Sequence, residues 1–284
     1  IFFIYCTDNT DRRFSMAVEL YANGLSAGYT DGFHIRELDL SIPSGKITSL
    51  IGANGSGKST ILKALTRLIP KDQGNVYLDG KSIYQIPTKE IARKLAILPQ
   101  NAQCPDALTV EELVENGRYP HRRRFGGLTA EDREVVYWAM KACGVLDFAH
   151  REVDSLSGGQ RQRVWIAMAL AQKTDMLFLD EPTTFLDIAH QLDIMQLLVQ
   201  LNREQGVTIV MVIHDLNHAA MFSDYVVAVR NGIKEFEGTP QQVITPEVLR
   251  IVFDVESVPF SHPVFHTQLC LPYDLCRHPS KDTF

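Results

Sequence analysis

The sequence predicts an α/β fold with a mostly parallel sheet, because short apolar strand patterns alternate with helical patterns along most of the chain. Strand patterns bounded by turn residues lie at residues 46–51, 76–78, 95–98, 176–179 and 207–213. Apolar residues at helical spacing lie at residues 59–68, 161–172 and 188–203. The last strand pattern is β-branched and almost continuously apolar, which is typical of a strand covered on both faces.

The middle of the chain predicts a helical lobe inserted into this sheet. From residue 101 to residue 153 the strand patterns give way to helical ones. Thr109 with Glu112 forms a capping-box pattern, and Thr129 with Asp132 forms a weaker version of the same helix start. We therefore expect helices to begin at both places, between two parts of the sheet.

The last part of the chain predicts short helices from Pro240 onward, followed by an irregular tail that contains several prolines. Four potential metal ligands lie close together in this tail: His262, His266, Cys270 and Cys276. Pro263 and the lack of a tight Cys-x-x-Cys pair disfavour a metal site there.

Composition excludes several classes of protein. The chain has 284 residues, of which 45% are hydrophobic and 22% charged, a globular balance that fits one large domain or two small ones. The net charge of −6 disfavours a duplex-DNA binder, so we expect no nucleic-acid partner. Five scattered cysteines disfavour a secreted disulfide framework. No apolar stretch approaches the roughly 18–20 residues that span a bilayer, so any membrane association is expected through a partner.

The strongest motif follows the strand pattern at 46–51 and matches G-x-x-x-x-G-K-[ST], the phosphate-binding loop. Glycines let the backbone wrap around phosphate oxygens, and the amide groups converge where a helix begins. Lys58 supplies a charge to the β- and γ-phosphates of a nucleotide, and the Ser59 hydroxyl is placed to bind Mg²⁺. The nucleotide-binding residues expected here are Gly52, Ala53, Asn54, Gly55, Ser56, Gly57, Lys58, Ser59 and Thr60.

A second motif is the apolar strand 176–179, which ends in Asp180 and Glu181. Such a strand places carboxylates at the carboxyl edge of a parallel sheet, where ligands bind in open α/β folds. We expect Asp180 to hold Mg²⁺, directly or through water. Glu181 is then free to polarise the attacking water as a general base.

A third motif, Leu-Ser-Gly-Gly-Gln at 156–160 followed by Arg-Gln-Arg, resembles the signature of ATP-binding-cassette (ABC) ATPases. The rest of that family's set occurs in order: Tyr29 is similar to the aromatic residue that stacks on adenine, Gln100 to the Q-loop glutamine, Asp187 to the D-loop aspartate and His214 to the switch histidine. The resemblance implies that Gln100 contacts Mg²⁺ and that His214 stabilises the γ-phosphate. It also implies that the signature acts on ATP held by a second copy, through Ser157, Gly158, Gly159 and Gln160.

A finer resemblance is to the ATPase subunits of iron–siderophore importers, a subunit type that also serves haem and vitamin B12 uptake. It rests on stretches such as KEIARKLAILPQ, LSGGQRQRVWIAMALAQ and LDEPTTFLDIAHQLDIM. It implies a homodimer on the cytoplasmic face of the inner membrane, bound to transmembrane permease subunits and served by an extracytoplasmic substrate-binding protein. The alternatives are an ABC ATPase that imports haem or vitamin B12 and a non-transport ATPase of DNA repair or of ribosomes, which shares these motifs.

The resemblance implies a RecA-like P-loop NTPase core with an N-terminal antiparallel β part and an inserted α-helical subdomain. We expect the ATPase domain at residues 16–255, with the helical subdomain at about 101–157, and a C-terminal tail at 256–284. Residues 1–15 precede Met16, where the sequence reads like a natural start, and we interpret them as an upstream or non-native leader.

Overall fold

The structure is a computed structural model that describes residues 19–29, 32–100, 102, 107–122, 127–264 and 267–276. The leader expected at residues 1–15 lies outside these residues. The strands are β1 (Leu20–Gly28), β2 (His34–Ile42), β3 (Ile47–Ile51), β4 (Lys71–Leu78), β5 (Lys81–Ser82), β6 (Leu95–Leu98), β7 (Met176–Asp180), β8 (Thr208–Val212), β9 (Tyr225–Arg230), β10 (Ile233–Gly238), β11 (Val255–Ser261) and β12 (Gln268–Leu275). The helices are α1 (Lys58–Leu65), α2 (Thr88–Ile91), α3 (Val110–Glu115), α4 (Ala130–Ala142), α5 (Gly158–Ala171), α6 (Ile188–Gln205), α7 (Leu216–Phe222), α8 (Pro240–Val243) and α9 (Pro246–Phe253).

The strands form the mostly parallel sheet that the sequence pattern predicts and the antiparallel part that the family resemblance implies. The central sheet has the order β10-β9-β3-β8-β7-β6, and all of its neighbours are parallel except the β9–β10 pair. An antiparallel sheet of order β2-β1-β4-β5 packs over one face of it. Strands β3, β7 and β8 therefore end side by side at one edge, which is where the three loops of the site begin.

The core lies on both faces of the central sheet, because side chains alternate along each strand. On β7, Phe178 faces the antiparallel sheet and α1, whereas Leu177 and Leu179 face the helical side built by α5 and α6. Every residue of β3, β7 and β8 is buried. This confirms the expectation of a sheet covered on both faces.

A buried arginine in the helical lobe fastens the lobe to helix α5. Helices α3 and α4 begin at the predicted capping boxes of Thr109 and Thr129. Arg118, which is 4% exposed, donates from Nε to Asp132 Oδ1 at 2.8 Å and from Nη1 to Ala171 O at 2.8 Å. One guanidinium thus joins the start of α4 to the end of α5.

Two predicted helix bounds differ from the structure by three residues, each for a local reason. Helix α1 ends at Leu65 rather than at residue 68, because Arg67 adopts a left-handed backbone with φ 60°. Helix α5 begins at Gly158 rather than at residue 161, because Ser157 and Gln160 form a capping box in front of it.

The irregular tail predicted after the short helices is wrong. Helices α8 and α9 are short as expected, but Val255–Ser261 and Gln268–Leu275 then pair as the antiparallel strands β11 and β12. Pro259 and Pro272 lie within it, opposite Cys270 and Ser257. Both strands of a two-stranded sheet are edge strands, so a residue without an N–H group is tolerated there.

None of the described helices is long and apolar enough to cross a membrane.

Candidate nucleotide site

The phosphate loop runs from the end of β3 to the start of α1 and is closed by glycines in backbone conformations that other residues disfavour. Gly52 has φ 152° and Gly57 has φ 104°. A Cβ at Gly52 would lie 2.2 Å from Val229 O, and one at Gly57 would lie 2.4 Å from Phe33 Cε1. Both positions therefore require glycine for conformation and for space.

Lys58 lies inside this loop and is 4% exposed. Its Nζ donates to Gly52 O and to Ala53 O, each at 2.9 Å. Burial lowers the pKa of Lys58, and the charges of Glu181 and Asp180 oppose that shift. The loop carbonyls and the two carboxylates thus hold a desolvated ammonium at the centre of the loop, where phosphate oxygens can bind it.

Ser59 and Asp180 join the phosphate loop to the end of β7. Ser59 Oγ donates to Asp180 Oδ1 at 2.6 Å. Burial raises the pKa of Asp180, while the hydrogen bond from Ser59 and the charge of Lys63 lower it. Two hard oxygen donors from distant parts of the sequence therefore lie side by side, as the sequence predicts.

Glu181 follows on the same strand end and makes contact with three side chains. Its Oε1 lies 2.6 Å from His214 Nε2, and its Oε2 accepts from Gln100 Nε2 at 2.5 Å and from Thr184 Oγ1 at 2.9 Å. These contacts arise because the loops after three parallel strands converge on this carboxylate, and its role as general base stays a prediction. Gln100 follows β6, His214 follows β8, and Thr184 lies in the loop of Glu181 itself.

These residues line a cleft of about 440 Å³ beside the phosphate loop. Its lining residues are Phe33, Asn54, Gly55, Gly57, Lys58, Ser59, Thr60, Gln100, Glu181 and His214. Phe33 is missed by the sequence analysis, because its role depends on contact with Gly57 across the fold. Tyr29 is 45% exposed and is not one of the lining residues, so its adenine-stacking role stays a prediction.

The signature residues lie outside this cleft. Ser157 and Gly158 are exposed at the start of α5, whereas Gly159 is buried. Asp187 caps α6 by accepting from His190 N at 2.9 Å, and its Oδ1 lies 2.8 Å from His190 Nδ1. None of these groups lines the cleft beside the chain's own phosphate loop, as action on a second copy requires.

The tail residues form no metal cluster among the described residues. Cys270 is buried and its Sγ contacts Ile244 O at 3.3 Å, and Cys276 Sγ lies 3.5 Å from Glu256 Oε1. His266 lies outside the described residues.

Comparison with known proteins agrees with this geometry. Residues 35–184 match the ABC transporter family. The chain is 53% identical over 254 residues to the iron(3+)-hydroxamate import ATP-binding protein FhuC of Bacillus subtilis (strain 168), a match that covers 89% of this chain and 94% of that protein. It is 45% identical over 248 residues to the ferric enterobactin transport ATP-binding protein FepC of Escherichia coli (strain K12), covering 87% and 92%. The dimeric structure of MJ0796, a bacterial ABC transporter cassette, has a TM-score of 0.69 at 31% identity and covers 78% of this chain and 98% of that one.

A phosphate loop bonded to a strand-end aspartate, with a glutamate beside it, defines the class of P-loop ATPases. The signature sequence at the start of α5 and the matches above narrow this class: the chain belongs to the ABC transporter family, as one of its ATP-binding subunits.

Proposed function

We propose that this ATPase powers the import of ferric siderophores. The support for this cargo is the similarity to ATP-binding proteins of iron(3+)-hydroxamate import and ferric enterobactin transport, which extends over most of both chains. In this proposal two copies act together, bound to transmembrane permease subunits on the cytoplasmic face of the inner membrane. An extracytoplasmic binding protein delivers the cargo to the permease.

The donor set supports a Mg²⁺ ion between the phosphate loop and β7. Ser59 Oγ and Asp180 Oδ1 are hard oxygen donors that already lie together, and Gln100 adds an amide oxygen nearby. When bound, Mg²⁺ would supply charge neutralisation at the β- and γ-phosphate oxygens. Lys58 would bind the same oxygens from the loop side, together with the amides of residues 52–60.

Glu181 acts as the general base in this proposal. The attacking water gives its proton to a Glu181 carboxylate oxygen while the water oxygen bonds to the γ-phosphorus. The bond from that phosphorus to the bridging oxygen breaks, and its electron pair leaves with ADP. His214 Nε2, which lies beside Glu181 Oε1, is placed to donate to the γ-phosphate as charge develops.

The second copy completes each site. Ser157 and Gly158 are exposed at the start of a 14-residue helix, where backbone and hydroxyl donors favour an anion. Gln160 holds Ser157 through the capping box, and Asp187 lies nearby at the start of α6. The dimeric structure of the MJ0796 cassette supports a dimer for this chain.

Glu181→Gln tests the catalytic proposal, because it keeps the size and a carbonyl acceptor but cannot take a proton. In the complex reconstituted with its permease, we expect ATP turnover to fall by about 10²–10⁴-fold with ATP binding retained. Loss of a negative charge facing the triphosphate should also favour an ATP-dependent dimer on size-exclusion chromatography. Glu247→Gln, an exposed position on α9, is the matched control. Near wild-type turnover of Glu181→Gln would refute the role.

The cargo is tested with the same complex in proteoliposomes. The binding protein is added loaded with a ferric hydroxamate, haem or vitamin B12, and ATP hydrolysis is measured. We expect stimulation by the ferric hydroxamate. Stimulation by haem or vitamin B12 instead would contradict the siderophore proposal and leave the ATPase mechanism intact.

A further inference from the structure

The hydroxyl of Thr184 contacts the carboxylate that the proposed mechanism uses as its base. Thr184 Oγ1 donates to Glu181 Oε2 at 2.9 Å, and Thr184 N donates to Glu181 O at 3.3 Å. The two residues are the ends of one tight turn, Glu-Pro-Thr-Thr, directly after β7. The side-chain bond is therefore local and closes the same turn as the backbone bond.

The other two partners of Glu181 come from separate loops. Gln100 follows β6 and His214 follows β8. In the proposed mechanism Gln100 would help to hold Mg²⁺ and His214 would donate to the γ-phosphate, so both would have a second partner when nucleotide is bound. Thr184 has no such role, and its distance to Glu181 does not depend on movement between separate elements.

The backbone conformation of Glu181 makes a fixed hydrogen-bond donor to its carboxylate more important. Glu181 has φ 55°, a left-handed conformation that is unusual for a residue with a side chain, and it turns the chain sharply out of the sheet. Its side chain is 12% exposed, so few water molecules can hold the carboxylate in place of a protein donor. A fixed donor on Oε2 leaves Oε1 directed into the cleft, where His214 now lies.

We propose that Thr184 is a positioning residue that keeps the Glu181 carboxylate aligned with the attacking water once Gln100 and His214 engage the nucleotide. This inference rests on the proposed function, because Thr184 acts only by positioning the base of that function. It assigns no chemistry to Thr184 itself. The hydroxyl binds Oε2 throughout the cycle, and Oε1 remains the atom that accepts the proton.

The test compares Thr184→Val, which keeps the shape and loses the hydroxyl, with Thr184→Ser, which keeps the hydroxyl. In the permease-reconstituted complex we expect kcat of Thr184→Val to fall by about 10-fold to 100-fold, the range typical of a misplaced catalytic group. KM for ATP should stay within about twofold, since ground-state binding is not involved. Thr184→Ser should retain kcat within about threefold of wild type. If Thr184→Val does not fold, Thr184→Ala, which also lacks the hydroxyl and adds no bulk, replaces it.

A double-mutant cycle separates positioning from a general structural role. In the Glu181→Gln background, Thr184→Val should slow single-turnover hydrolysis by less than about twofold, because the base is already absent. An equal loss in both backgrounds would overturn the inference, as would a Thr184→Ser variant as slow as Thr184→Val. If Thr184→Val has the wild-type kcat while Glu181→Gln is slow, the inference is also overturned. The proposed function then stands. A Glu181→Gln variant at wild-type rate instead overturns the proposed function itself.

Discussion

The imidazole of His190 lies directly on Gly159, so that a Cβ at residue 159 would be 2.2 Å from His190 Cδ2. The same ring has its Nδ1 2.8 Å from Asp187 Oδ1. One side chain at the start of α6 therefore contacts both the signature helix α5 and the aspartate that caps α6. Within one subunit these two segments are packed as a unit, and we expect them to meet a second copy together.

Gly159→Ala is expected to weaken the ATP-dependent dimer. The new methyl group would clash with the His190 ring. Because Asp187 holds that ring, it cannot turn aside freely, and the methyl group would displace it from this contact. ATP affinity of the monomer should be unchanged, since Gly159 does not line the cleft. Analytical ultracentrifugation with ATP and Mg²⁺ measures the dimer. Gly127→Ala, whose Cβ would meet nothing within 4 Å, is the control. A dimer of wild-type strength would contradict the packing argument.

Ser157→Arg is expected to abolish hydrolysis and leave nucleotide binding by the isolated monomer nearly intact. Ser157 is exposed at the start of α5, away from the chain's own phosphate loop, so the bulk of arginine blocks a partner and not the cleft. The measurement pairs turnover of the reconstituted complex with fluorescent-nucleotide titration of the monomer. Thr129→Arg is the control, because it also replaces the capping-box residue of a helix, α4, with arginine. It should not affect turnover. A comparable loss of monomer affinity would argue against action between two copies.

The parts of the site that the sequence predicts are those held by local rules. The phosphate loop needs glycine at residues 52 and 57, and Asp180 and Glu181 follow an apolar strand, so motif and strand pattern together place them. The sheet edge then brings Ser59 and Asp180 together without further information. These predictions require only knowledge of which strands are parallel and where each strand ends.

The parts that sequence reasoning missed depend on contacts between distant segments. Phe33 becomes a cleft residue only because β2 begins beside Gly57. The side-chain contacts of Glu181 depend on three loops that converge on its carboxylate. No hydrophobic periodicity in the sequence predicts that convergence. Thr184 could have been found, since it lies three residues after Glu181 and the two ends of a four-residue β-turn lie close together. The hairpin of β11 and β12 was missed because its prolines are read as breakers, although two-stranded edges accept them.

Lys58→Ala is expected to reduce ATP affinity or turnover by roughly 10²-fold or more, because charge-assisted contacts to the phosphates are lost. The loss should exceed that of a surface lysine, since Lys58 is desolvated and lies near two carboxylates whose charges would then be unopposed. Isothermal titration with ATP and Mg²⁺ and a turnover assay give both quantities. Lys81→Ala, an exposed position on β5, is the control. Retained wild-type turnover of Lys58→Ala would contradict the site assignment.

Asp132→Ala is expected to lower the free energy of unfolding by about 3–5 kcal/mol, the usual cost of breaking a buried ion pair. Arg118 is 4% exposed and would keep its charge, with the Ala171 carbonyl as its remaining hydrogen-bond partner among the described residues. Asp193→Ala is the matched control, because the side chains of its pair with Arg163 are 45% and 23% exposed. Its cost should be at most about 1 kcal/mol. Urea unfolding measures both variants, and equal losses would contradict the role of burial.

Acid should narrow the difference in the free energy of unfolding between wild type and Asp132→Ala. Burial raises the pKa of Asp132, but hydrogen bonds from Thr129 and Arg118 outweigh it and lower the pKa to about 2. The unfolded value is about 3.9, so the native state favours the charged form. The contribution of this carboxylate is therefore complete above about pH 5 and is lost as the pH falls from about 4 toward 2. Unfolding curves of the two proteins should converge over that range, whereas a constant gap down to about pH 2 would show that Asp132 acts through packing and not through its charge.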